Sequence, residues 1–146
     1  MGVLTVMARK LILVIGLFLT LTGLDCNEPD GLPFGNETGA CLNDADLGMV
    51  CAPTFADDFV TACGREALGD AAGTSACLQR DPPGLSQDCA GSYGAQTGCI
   101  ASNCLSAGCS SDRGSDSCLA CIEASGCQAA FDSCRGDLAT ACEDWM

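Results

Sequence analysis

The chain has no histidine, and its 146 residues include only one tyrosine, one tryptophan and five phenylalanines. Without an imidazole base, Ser-His-Asp and Cys-His nucleophile systems are excluded. Much of the 48% hydrophobic content is alanine and cysteine, so little apolar area is available to stabilise a core. The sequence therefore predicts a protein that is not an enzyme and that needs cross-links to fold.

Basic side chains are also scarce, since six Lys and Arg stand against nineteen Asp and Glu, for a net charge of −13. A surface of this sign repels phosphate backbones and anionic lipid. We therefore expect neither nucleic acid nor an anionic membrane surface as a partner.

Cysteine, in contrast, is abundant, with 14 residues. Such a density is typical of disulfide scaffolds in short exported chains, because the cytosol keeps thiols reduced. Metal binding is the alternative, but four-thiolate sites usually draw on two close pairs, and the chain has a single Cys-x-x-Cys, at Cys118 and Cys121. We predict structural disulfides, with no metal and no cofactor.

An uninterrupted apolar run, Leu11 to Leu24, follows two basic residues near the start of the chain. Its length suits the core of a signal peptide and is short for a transmembrane helix. We predict a signal peptide over residues 1–25, with the true start at Met1 or at Met7.

The residues before Cys26 leave the route of export open. Leu21-Thr22-Gly23 would suit a lipoprotein box if a cysteine came next, but Leu24-Asp25 intervenes. Fourteen cysteines can all pair, whereas lipidation of Cys26 would strand one thiol. We predict a secreted, periplasmic or cell-envelope protein, with a lipid anchor at Cys26 or an uncleaved leader as alternatives.

Patterning after the leader divides the chain into two parts. Residues 26–46 carry Gly, Pro, Asn and acids without periodicity, which predicts a flexible linker. Residues 47–146 show helical spacing and no strand-like alternation, which predicts a cysteine-rich helical domain. The predicted fold is all-α: a small disulfide-stapled bundle of helical hairpins after an N-terminal signal peptide.

Within this domain we expect the Gly73-Thr74-Ser75 stretch to interrupt the helices. Three glycines, Gly91, Gly94 and Gly98, weaken the helix that contains them by up to about 1 kcal/mol each. The last segment has the strongest helical periodicity. The expected helices run from Pro53 to Gly69, from Ser86 to Leu105, from an N-cap at Ser115 or Asp116 to Ser125, and along one face that holds Cys127, Phe131, Cys134, Leu138, Cys142 and Trp145.

The cysteines around Gly126 allow a specific pairing to be predicted. If Gly126 turns the chain into an antiparallel hairpin, Cys118 lies opposite Cys134, and Cys121 lies opposite Cys127. Phe131 would then pack over the inner bridge. The alternative is a redox pair of Cys118 and Cys121, because a helix N-terminus favours the thiolate.

Between Cys77 and Cys142 the chain resembles uncharacterised cysteine-rich exported proteins of the myxobacterial type. The resemblance is carried by Asp88-Cys89-Ala90-Gly91-Ser92-Tyr93, Cys99-x-x-x-Asn103-Cys104, Ser117-Cys118-x-x-Cys121 and Gly126-Cys127-x-x-Ala130-Phe131-x-x-Cys134-x-Gly136. It implies export and helical disulfide pairing, and no catalytic activity.

Three functional hypotheses follow from these patterns. The first is a non-enzymatic structural or interaction protein, with a protein or cell-envelope partner. The second is a carrier that holds a small apolar ligand between its helices. The third is a thiol-disulfide oxidoreductase that uses Cys118 and Cys121.

Overall fold

The computed structural model describes residues 39–80 and 82–145. Within these residues the protein is helical and has no strand, which confirms the predicted all-α class. The predicted signal peptide, Cys26 and most of the predicted linker lie outside the described residues. The helices are α1 (Asp44–Val50), α2 (Thr61–Glu66), α3 (Ala71–Leu78), α4 (Gln87–Cys104), α5 (Asp116–Ala124), α6 (Cys127–Arg135) and α7 (Leu138–Trp145).

Two shorter helical turns complete the fold. A π-helical turn, Ala56–Val60, leads directly into α2, and a 3₁₀ turn, Leu105–Ala107, follows α4. In the described part of the chain, no helix combines the length and apolar character needed to cross a membrane.

The helical domain begins before the predicted boundary at residue 47. The backbone N–H groups of Gly39 and Ala40 donate to the carbonyl of Cys134, at 3.1 and 3.0 Å. The side chain of Asn43 then caps α1 by accepting from the amide of Asp46. Residues 39–46, predicted as linker, are therefore part of the packed domain.

Helix α3 occupies the stretch around Gly73 that was predicted to interrupt the helices. Asp70 caps it, because its carboxylate accepts a hydrogen bond of 2.6 Å from the amide of Gly73. The helix packs closely on α4, where a Cβ on Gly98 would lie 2.9 Å from the Cβ of Ala71. Gly94 and Gly98, which weaken α4 as an isolated helix, thus permit this close approach.

The predicted helices from Ser86 and from Ser115 are confirmed. Each serine is an N-cap whose hydroxyl accepts from the amide three residues on, in Cys89 and in Cys118. Gly126 ends the second of these helices with a φ of 74°, as its sequence position predicts.

The last predicted helix is two helices. Gly136, with a φ of 89°, separates α6 from α7, and Gly39 and Leu42 pack where its side chain would be. Phe131 and Leu138 are buried, whereas Trp145 is 46% exposed. The shared periodicity therefore places several residues in the core, but it does not make one continuous helix.

Disulfides join the helices to one another, as predicted for a stapled bundle. Their Cα–Cα distances run from 4.6 to 5.8 Å, and Cys134 is also disulfide-bonded. The pairs among described residues are Cys41–Cys89, Cys51–Cys142, Cys63–Cys77, Cys99–Cys127, Cys104–Cys121 and Cys109–Cys118.

The predicted pairing across Gly126 is wrong. Cys118 bonds to Cys109, Cys121 to Cys104, and Cys127 to Cys99. The reason is that the cysteines of α5 face the end of α4 and the loop after it, whereas Cys127 at the start of α6 faces the middle of α4. Phe131 correspondingly packs on Tyr93, with ring centroids 4.8 Å apart, and not over a bridge between α5 and α6.

Candidate ligand-binding cleft

The alternative redox pair of Cys118 and Cys121 is not assembled. Cys118 and Cys121 belong to two different disulfides, with Cys109 and with Cys104. Among the described residues, there are no free cysteines. The arrangement therefore provides no Cys-x-x-Cys disulfide for exchange.

The buried carboxylate of Asp46 has a structural role. Asp46 is only 1% exposed, and its carboxylate accepts hydrogen bonds from the amide and hydroxyl of Ser86 and from the side chain of Asn43. Within residues 39–80 and 82–145, no three His, Cys, Asp or Glu side chains are grouped to hold a metal ion.

The described residues do form a cleft, of about 570 Å³. We call it the Arg113 cleft. Its walls come from the π-helical turn and α2 on one side, the second half of α4 on another, and the loop of residues 109–114 on the third. Its volume falls within the range of about 300–1,000 Å³ that is usual for small-molecule sites. It is lined by Asp57, Thr61, Gly64, Arg65, Leu68, Gly69, Thr97, Ile100, Ala101, Leu105, Cys109, Ser110, Ser111, Asp112, Arg113 and Gly114.

Two leucines on the border of this cleft expose unusually large apolar surface. Leu68 is 92% exposed and Leu105 is 55% exposed, and both line the cleft, as does the buried Ile100. Exposed apolar side chains are common when they stand singly, whereas several in one concave site indicate binding.

Leu68 also has a backbone conformation that its side chain disfavours. It is the one non-glycine residue of the described chain with positive φ, at 53°. The left-handed region costs an L-residue roughly 1–2 kcal/mol. Leu68 lies just after the end of α2. The next residue, Gly69, closes the turn there, because its backbone N–H donates a hydrogen bond of 2.8 Å to the carbonyl of Gly64. Strain of this kind is concentrated at functional sites.

The polar groups of the cleft include a half-buried cation. Burial lowers the pKa of Arg113, and the charge of Asp57 opposes that effect. No carboxylate lies within 4 Å of the Arg113 guanidinium in the described structure. The cleft therefore contains a cation that has lost part of its hydration without gaining an ion pair.

A hydroxyl in the same cleft is without a partner. Thr97 is 9% exposed, and its Oγ1 is the buried side-chain polar atom for which the described residues supply no hydrogen bond. It lies beside Gly64, where a Cβ would be 3.2 Å from its Cγ2 and 4.0 Å from its Oγ1.

Next to the Arg113 cleft lies an aromatic groove of about 630 Å³, which shares Asp57, Thr61 and Arg113 with it. Phe55 and Phe131 pack edge-on against Tyr93, at 5.3 and 4.8 Å between ring centroids. Burial raises the pKa of Tyr93 to about 12, against the opposing charge of Arg135. The aromatic side chains Phe55, Tyr93 and Phe131 that line this groove are buried in the hydrophobic core. The groove is therefore an extension of the core and not the candidate binding site.

The residues of the Arg113 cleft were not predicted from the sequence. Asp57 lines the cleft and is exposed. The signals that could have indicated the others are weak: a leucine before Gly69 where a helix ends, and an isolated arginine in a polar loop.

The cleft thus combines an apolar border, an unpaired cation and an unpartnered hydroxyl on a scaffold fixed by disulfides. Comparison of the chain with protein-family models, with curated proteins and with solved structures gives no match.

Proposed function

We propose that the protein is an exported, non-enzymatic binding protein that carries a small apolar ligand in the Arg113 cleft. The observation that carries the proposal is that Leu68 and Leu105, two of the most exposed large apolar residues described, border one cleft of about 570 Å³. A ligand that covers them removes apolar surface from water, at about 25 cal/mol per Å².

The disulfides support the placement of the protein outside the cytoplasm. Bridges of this number form and persist in oxidising compartments. A secreted, periplasmic or cell-envelope location, with or without a lipid anchor at Cys26, belongs to the proposal. So does membership of the exported cysteine-rich proteins that Cys77–Cys142 resembles.

Rigidity of the cleft walls also favours binding. The Cys63–Cys77 bridge holds α2 to α3, and the Cys109–Cys118 bridge holds the cleft loop to α5. A preformed site loses less conformational entropy when a ligand binds. The same scaffold would serve a structural or interaction protein, but the exposed leucines favour a small ligand.

The test is a titration of the oxidised protein with N-phenyl-1-naphthylamine, a neutral apolar dye that fluoresces when it leaves water. We expect saturable binding of one dye per chain. Leu68→Ser and Leu105→Ser should each lower the affinity about 5- to 10-fold, because each removes about 1–1.4 kcal/mol of apolar contact.

The matched control is Leu119→Ser, since Leu119 is 52% exposed on α5 and does not line the cleft. It should leave the affinity unchanged. Absence of saturable binding, or an equal loss in the control, would show that the Arg113 cleft is not an apolar ligand site.

A further inference from the structure

The distribution of cations sets the Arg113 cleft apart from the rest of this acidic molecule. The described residues contain four arginines and no lysine. Arg80 pairs with Glu66 at 2.8 Å, and Arg135 pairs with Asp132 at 2.7 Å. The two that form no ion pair among the described residues, Arg65 and Arg113, both line the cleft.

We infer that the ligand of this cleft is a small amphiphile with a single anionic group, a carboxylate or a sulfonate, which Arg113 binds. The inference rests on the proposed function and deepens it. The leucines would cover the apolar part of such a ligand, and the guanidinium, with its fork of donors, suits a planar or branched oxyanion.

Arg113 is suited to this purpose by its surroundings. Its side chain is half-buried, so it has lost part of its hydration, and a bound anion would restore favourable contacts to it. An ion pair formed away from bulk water is also stronger than one on the surface. Arg65 is exposed and would add a longer-range attraction.

Thr97 supplies an independent observation that points to a polar ligand atom. Its hydroxyl is buried and has no hydrogen-bond partner in the described structure, which is unusual in folded proteins. A hydroxyl can donate one hydrogen bond to an oxyanion. Thr97 is also one of the residues that line the cleft.

Two carboxylates limit the charge of the ligand. Asp57 and Asp112 also line the cleft, and the Asp112 side chain accepts a hydrogen bond of 2.9 Å from the amide of Gly114. Their charges balance those of the two arginines. A single negative charge can sit at Arg113, whereas a doubly charged phosphate would be repelled by the two acids.

Two dyes with the same aromatic framework test the inference. 8-Anilinonaphthalene-1-sulfonate carries a sulfonate, and N-phenyl-1-naphthylamine is its neutral counterpart. We expect the sulfonate to bind the oxidised protein at least about ten-fold more tightly than the neutral dye, and to lose affinity as salt is raised.

Substitutions then assign that preference to residues. Arg113→Gln should weaken sulfonate binding about ten-fold and leave the neutral dye within two-fold. Thr97→Val, which keeps the shape of the side chain, should weaken the sulfonate about three-fold with no loss of stability in the free protein. Arg80→Gln removes an arginine outside the cleft and should change neither affinity.

The outcomes separate this inference from the function on which it rests. Neutral-dye binding without preference for the sulfonate, or an equal effect of Arg113→Gln on both dyes, overturns the anionic ligand and leaves the apolar cleft standing. If Arg80→Gln weakened sulfonate binding as much as Arg113→Gln, the preference for the sulfonate would reflect only the net charge of the protein. That result would also overturn the anionic ligand. If neither dye binds, the proposed function and this inference both fall.

Discussion

The carbonyl oxygen of Ala71 lies 2.4 Å from the position that a Cβ on Gly94 would occupy. The same Cβ would be 3.1 Å from the Cβ of Ser75. Helices α3 and α4 therefore approach each other at a point where any side chain larger than hydrogen would force them apart.

Gly94→Ala should accordingly destabilise the protein, although alanine is the better helix former by about 1 kcal/mol. The overlap with a backbone oxygen cannot be relieved by a rotamer change, and overpacking of this kind costs roughly 1–3 kcal/mol. Guanidinium unfolding of the oxidised protein, followed by circular dichroism, measures the change.

Gly48→Ala is the matched control. Gly48 lies within α1, is exposed, and its Cβ would meet only Trp145, at 3.7 Å. Here helix propensity should dominate, and the free energy of unfolding should rise by about 0.5–1 kcal/mol. A rise in the free energy of unfolding for Gly94→Ala as well as for Gly48→Ala would contradict the close approach of α3 to α4.

Asp46→Ala should destabilise the protein by at least about 2 kcal/mol, because hydrogen bonds to a charged group are worth about 1.5–3 kcal/mol. The buried carboxylate of Asp46 joins α1 to the N-cap of α4 through the amide of Ser86, at 2.8 Å. Asp44→Ala, in the same turn but exposed, should cost under about 1 kcal/mol. Equal midpoints of chemical unfolding for the two variants would count against this role.

Tyr93 offers a spectroscopic test of the core, since it is the only tyrosine of the chain. Burial raises its pKa to about 12, with the charge and hydrogen bond of Arg135 acting in the opposite direction. The absorbance of tyrosinate at 295 nm should therefore appear near pH 12 in the folded protein and near pH 10 after reduction and denaturation.

The same shift fixes the sign of the dependence of stability on pH. The neutral phenol is favoured in the folded state, so its contribution is fully present below pH 10 and is lost as the pH rises through about 12. Tyr93→Phe should lose the absorbance change and this part of the alkaline instability. A native titration near pH 10 would place Tyr93 in solvent.

Local features of the fold were predictable from the sequence. The N-caps Ser86 and Ser115 and the left-handed Gly126 follow from the chemistry of a few neighbouring residues. The buried face of α4 follows from helical spacing, as Tyr93 and Ile100 show.

Features that depend on how helices meet were not predictable. Helix α3 has low propensity around Gly73 and forms against α4, where Gly94 makes room for it. The pairing of Cys118 required knowledge of the turn that brings Cys109 near. The Arg113 cleft joins segments that are distant in the sequence, such as those that contain Leu68 and Arg113, so no local pattern predicts it.

The disulfide pairs can be checked by peptide mapping, because Arg113 lies between the cysteines concerned. Trypsin should leave peptide 81–113 joined to peptide 114–135 through three bridges, Cys99–Cys127, Cys104–Cys121 and Cys109–Cys118. Further cleavage after Leu105 and Leu119, with chymotrypsin, should release the Cys109–Cys118 bridge as a separate pair of peptides. Recovery of peptide 114–135 alone, with its cysteines paired internally, would instead support the hairpin pairing predicted from the sequence.

Leu68 provides the last prediction, in which stability and binding change in opposite directions. Leu68→Gly relieves the strain of the positive φ of 53°, which costs a leucine roughly 1–2 kcal/mol. Against this, the flexibility of glycine in the unfolded chain lowers the free energy of unfolding by about 0.5–1 kcal/mol. The side chain is 92% exposed, so the free protein loses little packing. We expect the free energy of unfolding to stay level or rise by up to about 1 kcal/mol.

Binding of the neutral dye should weaken about 5- to 10-fold in the same variant, because the apolar border of the Arg113 cleft has been removed. Leu119→Gly is the control, and the opposite result is expected. In the middle of α5, glycine should lower the free energy of unfolding by about 1 kcal/mol and leave the affinity for the dye unchanged. If Leu68→Gly instead lowered stability and preserved binding, the leucine would be a packing residue, and its strained backbone would have no connection with a ligand.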